Sequence, residues 1–297
     1  MKTGIFIILL IFLWQPSSFS QEFGCHWVSF PLPNDSSEVI FKQTYTYKQK
    51  PLLASITLAS TGNVKVYVNE RNISRDILIK GMDNGSLIYR TFNITRYLKP
   101  NKNTISVWYA PTPNSLVGKQ LSLEYYGIDA DGENFYHKAD GKWLCKELHG
   151  CSTPSDKEYY DATRIPHNWK TFDASQSKTW QHPTGCPTKN DSSIGARISF
   201  KQNLLNKILR PVATYTDSVG FHIDFGRPFY GTIRLTIRDA KRGAQMNISG
   251  LNYVCTGEMD EQAFRRFNFQ KQRVFTILGE EFKKNWIVFI EGLEIEP

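Results

Sequence analysis

The sequence predicts an all-β protein built as two antiparallel β-sandwiches in tandem, and three observations predict it. Apolar and polar residues alternate in run after run, the period-two pattern of strands with one buried face. The runs are short and are separated by turn-rich pieces such as "KPNKN" and "PTPNS". Only "ITRYLK" has the character of a helical turn, and no amphipathic helical series accompanies it. At 297 residues the chain has room for two domains, each with its own core.

Residues 1–20 read as an export signal: Lys2, the apolar run Ile5 to Trp14, then Ser18-Phe19-Ser20 as a small-x-small cleavage site. The mature chain is expected to begin near Gln21, exported to the periplasm or secreted. Lipid attachment at Cys25 is the alternative, but Glu22 and Phe23 stand where small or aliphatic residues are wanted. The apolar run has ten residues, against the roughly 20 that a membrane-spanning helix needs. No comparable run follows, so no transmembrane segment is expected in the mature chain.

Residues 21–193 are expected to form the first sandwich with an irregular, Trp-rich extension. In "LLASITLAS" the side chains of Leu52, Ala54, Ile56 and Leu58 share one face, and "VKVYVN" repeats the pattern through Val64, Val66 and Val68. The intervening "STGN" suits a hairpin, since Gly62 and Asn63 tolerate positive φ. Strands follow at "SLIYRTFNI", "TISVWYA" and "LSLEYYG". In "DADGENFYHKADGKW" the pairs Asp131-Gly132 and Asp140-Gly141 read as turns around a short run. Residues 144–193, rich in Thr, Ser, Pro, Asp and Lys, read as irregular chain anchored by Trp169 and Trp180. Residues 194–297 are expected to form the second sandwich, with Phe221, Ile223 and Phe225 on one face of "FHIDFG" and Ile233, Leu235 and Ile237 on one face of "GTIRLTI". "QMNISGLNYV", "RVFTIL" and "WIVFIEGLEI" complete it, the run Trp286 to Ile290 reading as buried on both faces.

An ordered series of motifs resembles a known family. "ASITLASTGNVKVYVNERNI" and "YRTFNITRYLKPNKNTISVWYAP" are similar to the non-catalytic N-terminal β-sandwich of bacterial α-L-rhamnosidases. "DADGENFYHKADGKW" and "KEYYDATRIPHNWKTFDASQSKTW" continue the likeness, and "FHIDFGRPFYGTIRLTI" resembles a segment of the next sandwich in those enzymes. The resemblance implies jelly-roll or galactose-binding-like sandwiches of a sugar-related accessory region. Two positions depart from the pattern: Arg227-Pro228 stands where the family commonly has Gln-Asn, and Thr163 where Arg is usual. The family's catalytic (α/α)-barrel has no counterpart in this sequence, so the expectation leans away from an enzyme.

Sugar rings stack their C–H faces on aromatic planes and pair their hydroxyls with polar side chains. Trp143, Tyr159, Tyr160, Trp169 and Trp180 stand near Asp161, Arg164 and His167. Trp143, Tyr160, Asp161 and Trp169 are therefore the candidate carbohydrate-binding residues, although large aromatics commonly serve burial. Hydrolysis of a glycosidic bond would need two facing carboxyl groups, and Glu158, Asp161 and Asp173 are candidate surface acids. No Gly-x-Ser-x-Gly segment supports a serine nucleophile.

"CKELHGC" matches no common zinc spacing, and "DADGEN" lacks the further oxygen ligands, the twelfth-residue Glu (Asp140 stands there) and the flanking helices of an EF-hand loop, so no metal or cofactor is expected. The five cysteines are too few for a disulfide scaffold, yet Cys145 and Cys151 are close enough in sequence to bridge. A net charge of +8 is dispersed along the chain, which fits a solvated basic surface and no nucleic-acid partner. The leading expectation is a module that binds a rhamnose-containing or related plant glycan, or that supports a partner glycosidase. A hydrolase with an unrecognised site, a truncated or split enzyme, and a purely structural fragment stand as alternatives.

Overall fold

The computed structural model describes residues 26–296 apart from 33–35, 84–85, 113–117, 155–156, 167, 172–178, 187–195 and 199–202. The expected export signal and Cys25 lie outside the described residues. The chain runs through β1 (Trp27–Ser29), β2 (Ser37–Tyr47), β3 (Leu53–Ser60), β4 (Asn63–Val68), β5 (Arg71–Asn72), β6 (Met82–Asp83), β7 (Ser86–Asn93) and β8 (Asn101–Ala110). It continues with β9 (Gln120–Ile128), β10 (Asn134–Lys138), β11 (Leu144–Ser152), β12 (Glu158–Asp161), β13 (Thr184–Cys186), β14 (Ala196–Ile198) and β15 (Leu205–Leu209). The last strands are β16 (Ala213–Thr216), β17 (Phe221–Ile237), β18 (Gln245–Ile248), β19 (Leu251–Val254), β20 (Glu261–Phe264), β21 (Gln270–Leu278) and β22 (Ile287–Ile295). Helical structure among the described residues is confined to single 3-10 turns, one of them Thr95–Tyr97 inside "ITRYLK".

An eight-stranded sheet has the order β13-β1-β9-β3-β7-β14, with β10 beside β9 and β6 beside β7. A fourteen-stranded sheet has the order β15-β22-β17-β21-β18-β19-β12-β11-β2-β8-β4-β5, with β16 and β20 also on β17. The parallel pairing of β12 with β19 joins the two halves of the chain into that one sheet. The first core lies between the smaller sheet and the β11-β2-β8-β4 part of the larger one. Ala54, Ile56, Leu58, Leu121 and Leu123 meet Val39, Phe41, Val64, Val66, Ile105 and Val107 there. The second core gathers around β17, with Phe221, Ile223, Phe229, Ile233, Leu235, Ile248, Leu251 and Phe275.

The predicted alternation holds in both halves, and four expectations are corrected. "STGN" is not a hairpin: β3 pairs in the smaller sheet and β4 in the larger, so Gly62 sits at a crossing between sheets. Its φ is not positive; glycine is required because a Cβ would lie 2.4 Å from the Ala110 carbonyl oxygen. The stretch after residue 144 is not wholly irregular, since β11 and β12 form within it. Cys145 and Cys151 are free thiols rather than a disulfide, one in the first core and the other in the second. The run Trp286 to Ile290 is not buried on both faces, since Val288 is 49% exposed and Phe289 40%.

β2 escaped the period-two reading because both of its faces are covered. Val39 and Phe41 enter the first core while Glu38, Ile40 and Lys42 are buried on the opposite face. β17 bends at Phe225 to Pro228, four residues standing between the pairs Asp224–Val274 and Phe229–Gln272. Such an insertion turns a strand, and here Gly226 has φ +76°. Arg227 leaves the bulge to clasp Glu294 through two nitrogens at 2.8 and 2.7 Å, a bidentate fit between guanidinium and carboxylate.

Candidate functional site

Three of the four residues expected to hold a sugar divide between two interior places, and the fourth, Asp161, is buried at a turn. Trp143 is fully buried in the first core, its backbone N–H donating to the Asp140 carbonyl at 3.1 Å. Asp129 and Asp140 accept backbone N–H groups within their own turns, so the acids of this stretch act as turn formers. Tyr160 and Trp169 lie at the seam between the halves. The Arg266 guanidinium stands 3.4 Å over the Tyr160 ring, Tyr253 stacks on that ring at 5.7 Å, and Trp169 meets Trp108 edge-on at 5.4 Å. Asp161 caps a 3-10 turn by accepting the Thr163 N–H at 3.0 Å and hydroxyl at 2.6 Å. Rings with so little open surface have no free face for a sugar.

Glu158 and Asp161 are also corrected as surface acids. Glu158 is 1% exposed and accepts the backbone N–H groups of Arg266 at 2.8 Å and Phe267 at 3.2 Å. Asp161 is buried beside Arg164. Asp173 and His167 lie outside the described residues. Across the seam, Glu38 accepts the Trp108 indole N–H at 2.6 Å and the Thr153 hydroxyl at 2.7 Å. Burial, then the neighbouring Glu158 charge, pushes the Glu38 carboxyl well above the carboxylate range. Burial, then Arg266, pushes the Lys65 ammonium down. The seam is closed and internally bonded, a packing device rather than a receptive surface.

A receptive surface does exist, on the outer face of the same sheet. β12, β18, β19, the end of β21 and the turn after it enclose a cleft of about 750 Å³. Tyr159, Gln245, Asn247, Asn252, Leu278, Glu280 and Glu281 line it. Strand alternation builds this lining. Met246, Ile248, Leu251 and Tyr253 point to the core, while Gln245, Asn247 and Asn252 point out. The β18–β19 turn, Ser249-Gly250, has φ of 46° and 91°, the positive pair of a tight hairpin. Asn247 donates from Nδ2 to Asn252 Oδ1 at 2.7 Å and accepts the Gly250 N–H at 3.1 Å. The amides thus stand on a fixed frame.

Among the described residues, the cleft's charged lining groups are the two carboxylates of Glu280 and Glu281, with no cation among them. Amides and carboxylates beside one aromatic ring suit a ligand with many hydroxyls and an apolar face. The sequence reading had included Tyr159 among its aromatics but missed the amides and the glutamate pair. The signal present in "QMNISGLNYV" was the amide side chains at successive outward positions, where charged solvating residues are commoner.

No family model matches the chain, and no curated protein sequence matches it. Solved structures do. The α-L-rhamnosidase of Dictyoglumus thermophilum superposes with a TM-score of 0.81 at 16% identity, over 93% of this chain and 36% of that one. The fold is that of part of an α-L-rhamnosidase. The Aspergillus terreus α-L-rhamnosidase gives 0.78 at 14% identity, over 92% of this chain and 36% of that one. The Streptomyces avermitilis α-L-rhamnosidase, solved with L-rhamnose, gives 0.76 at 17% identity, over 89% and 29%. This chain therefore spans about a third of the length of the rhamnosidases it matches. At these identities the likeness establishes the fold alone. Among the described residues no helix is long and apolar enough to cross a membrane.

Proposed function

We propose that the described region is a non-catalytic module that binds a rhamnose-containing or related glycan in the Tyr159 cleft and serves a partner glycosidase in polysaccharide breakdown. The observation that carries this reading is the lining itself: Gln245, Asn247 and Asn252 on a rigid hairpin, two carboxylates, and the Tyr159 ring. Amide and carboxylate groups are suited to pairing with sugar hydroxyls, and the ring to covering the C–H face. The shared fold supports a sugar-related role. Export belongs to the proposal and rests on Lys2 and the run from Ile5 to Trp14.

A glycan array followed by calorimetry, on protein beginning at Gln21, tests the reading. Rhamnose-containing glycans are expected to bind, and Tyr159→Ala or Asn252→Ala to abolish the signal while leaving the fold intact. Silence across rhamnose-, galacturonate- and glucuronate-containing glycans overturns it. Sugar released from the same glycans would replace the binding module with a hydrolase.

A further inference from the structure

The Tyr159 cleft is one end of a longer band of outward side chains. Register across the sheet sets Tyr159 opposite Asn252, Asn252 opposite Asn247, and Asn247 opposite Leu278. Two residues back along β21, on the same face, Thr276 stands opposite His222, and His222 opposite Tyr215. The band crosses β12, β19, β18, β21, β17 and β16. Five strand spacings separate its terminal tyrosines, about 24 Å at the usual distance between paired strands.

Tyr215 is a prepared aromatic platform. Its ring stacks on His222 with centroids 4.8 Å apart and planes 24° from parallel. His222 is held at both nitrogens, Nε2 lying 2.8 Å from Asp217 Oδ1 and Nδ1 3.0 Å from Thr276 Oγ1. Asp217 is fixed in turn by the N–H groups of Val219 and Gly220. Tyr215 remains 47% exposed over this support, and Leu278 offers apolar surface between the two rings. A ring whose backing cannot rotate loses little freedom when a ligand covers it.

Charge narrows the ligand. Glu280 and Glu281 stand at the Tyr159 end and Asp217 at the Tyr215 end. Two cations flank the band: Arg273 is engaged by both oxygens of Asp224 at 2.9 and 2.8 Å, and Lys284 lines the recess beside Leu278 and Gly220, where the three carboxylates outnumber it. A polymer of uronic acids would bring carboxylates against carboxylates; an uncharged one would not.

We infer that this face holds a linear, uncharged glycan chain laid across six strands, with Tyr159 and Tyr215 as its terminal platforms, an inference that rests on the Tyr159 cleft being a glycan site. A monosaccharide or disaccharide covers one platform and leaves the other bare. Calorimetry with a rhamnan disaccharide, a rhamnan hexasaccharide and a galacturonan hexasaccharide tests it. The rhamnan hexasaccharide is expected to bind about tenfold tighter than the disaccharide, the gain of a second stacking contact. Tyr215→Ala should remove that gain, bringing the hexasaccharide down to about the affinity of the disaccharide. The galacturonan hexasaccharide should bind more weakly than the rhamnan one.

Equal affinity for the two rhamnan lengths, or a hexasaccharide indifferent to Tyr215→Ala, overturns the extended path. If Tyr159→Ala still abolishes binding in that case, the cleft reading survives alone. A galacturonan hexasaccharide that binds as tightly as the rhamnan one overturns the uncharged class. No binding by any of these fragments, together with a silent array, removes both readings.

Discussion

The seam and the outer cleft lie on opposite faces of β12, whose four residues divide between those faces. Glu158 and Tyr160 face the seam, where Arg266 covers one and donates its backbone N–H to the other. Tyr159 and Asp161 face the other way, Tyr159 into the cleft. Two adjacent tyrosines therefore do opposite work. Tyr160 is 9% exposed and serves cohesion, whereas Tyr159 borders open space with amides around it. Side-chain chemistry does not separate these roles; the face of the pleat does.

Substituting each tyrosine tests this division, and the largest effect belongs to the seam. Tyr160→Ala is expected to destabilise the fold by about 4 kcal/mol in urea unfolding, as aromatic-to-Ala changes in cores do. A loss below about 1 kcal/mol would mean that the seam is no cohesive core. Glu158→Ala, which strips acceptors from two buried N–H groups, should cost about 3 kcal/mol in the same assay. Tyr159→Ala should instead change stability by less than about 1 kcal/mol and weaken glycan binding at least about tenfold. If both tyrosine variants lose stability equally, the contrast between the faces collapses.

A smaller effect is the pH dependence of the seam. The Glu38 carboxyl titrates at about 8 in the fold against 4.5 ordinarily, so the folded chain holds a proton that the unfolded chain releases. Its contribution to stability is present below pH 4.5 and declines as the pH rises to about 8. Lys65, lowered to about 7 from 10.5, acts oppositely: stability is regained as the pH climbs through that window. Glu38→Gln should flatten the decline between pH 4.5 and 8, read from urea midpoints across that range. An unchanged slope would remove Glu38 as its cause. The smallest effect is expected from Glu280→Gln combined with Glu281→Gln, which should narrow the preference for neutral over uronate-bearing glycans a few-fold in calorimetry.

Much of the architecture was legible in the sequence because strands with one wet face announce themselves. Ala54, Ile56 and Leu58, or Phe221, Ile223 and Phe225, alternate with polar neighbours, and each set is buried as that pattern requires. β2 carries no such signal, since Glu38 and Lys42 are charged residues on a buried face. Their placement depends on Trp108, Thr153 and Trp180, which arrive from distant parts of the chain. The crossing at Gly62 was misread for a related reason: the residues suit a hairpin, and only the partners of β3 and β4 reveal two sheets.

For the candidate site the sequence identified a neighbourhood, and the residues it selected there, Tyr160, Asp161 and Trp169, are buried. "KEYYDA" contains both Tyr159 and Tyr160, and a short strand flanked by acids can place either ring outward. Composition and alternation determined that the chain is all-β, where its cores draw their residues, and that aromatic and acidic groups concentrate near residue 160. The tertiary structure decided which of those groups reach solvent. That choice was made by the parallel pairing of β12 with β19 and by Arg266, 106 residues beyond Tyr160, closing over its ring. Local periodicity encodes that neighbouring side chains take opposite faces; which face is covered depends on contacts between segments remote in the chain.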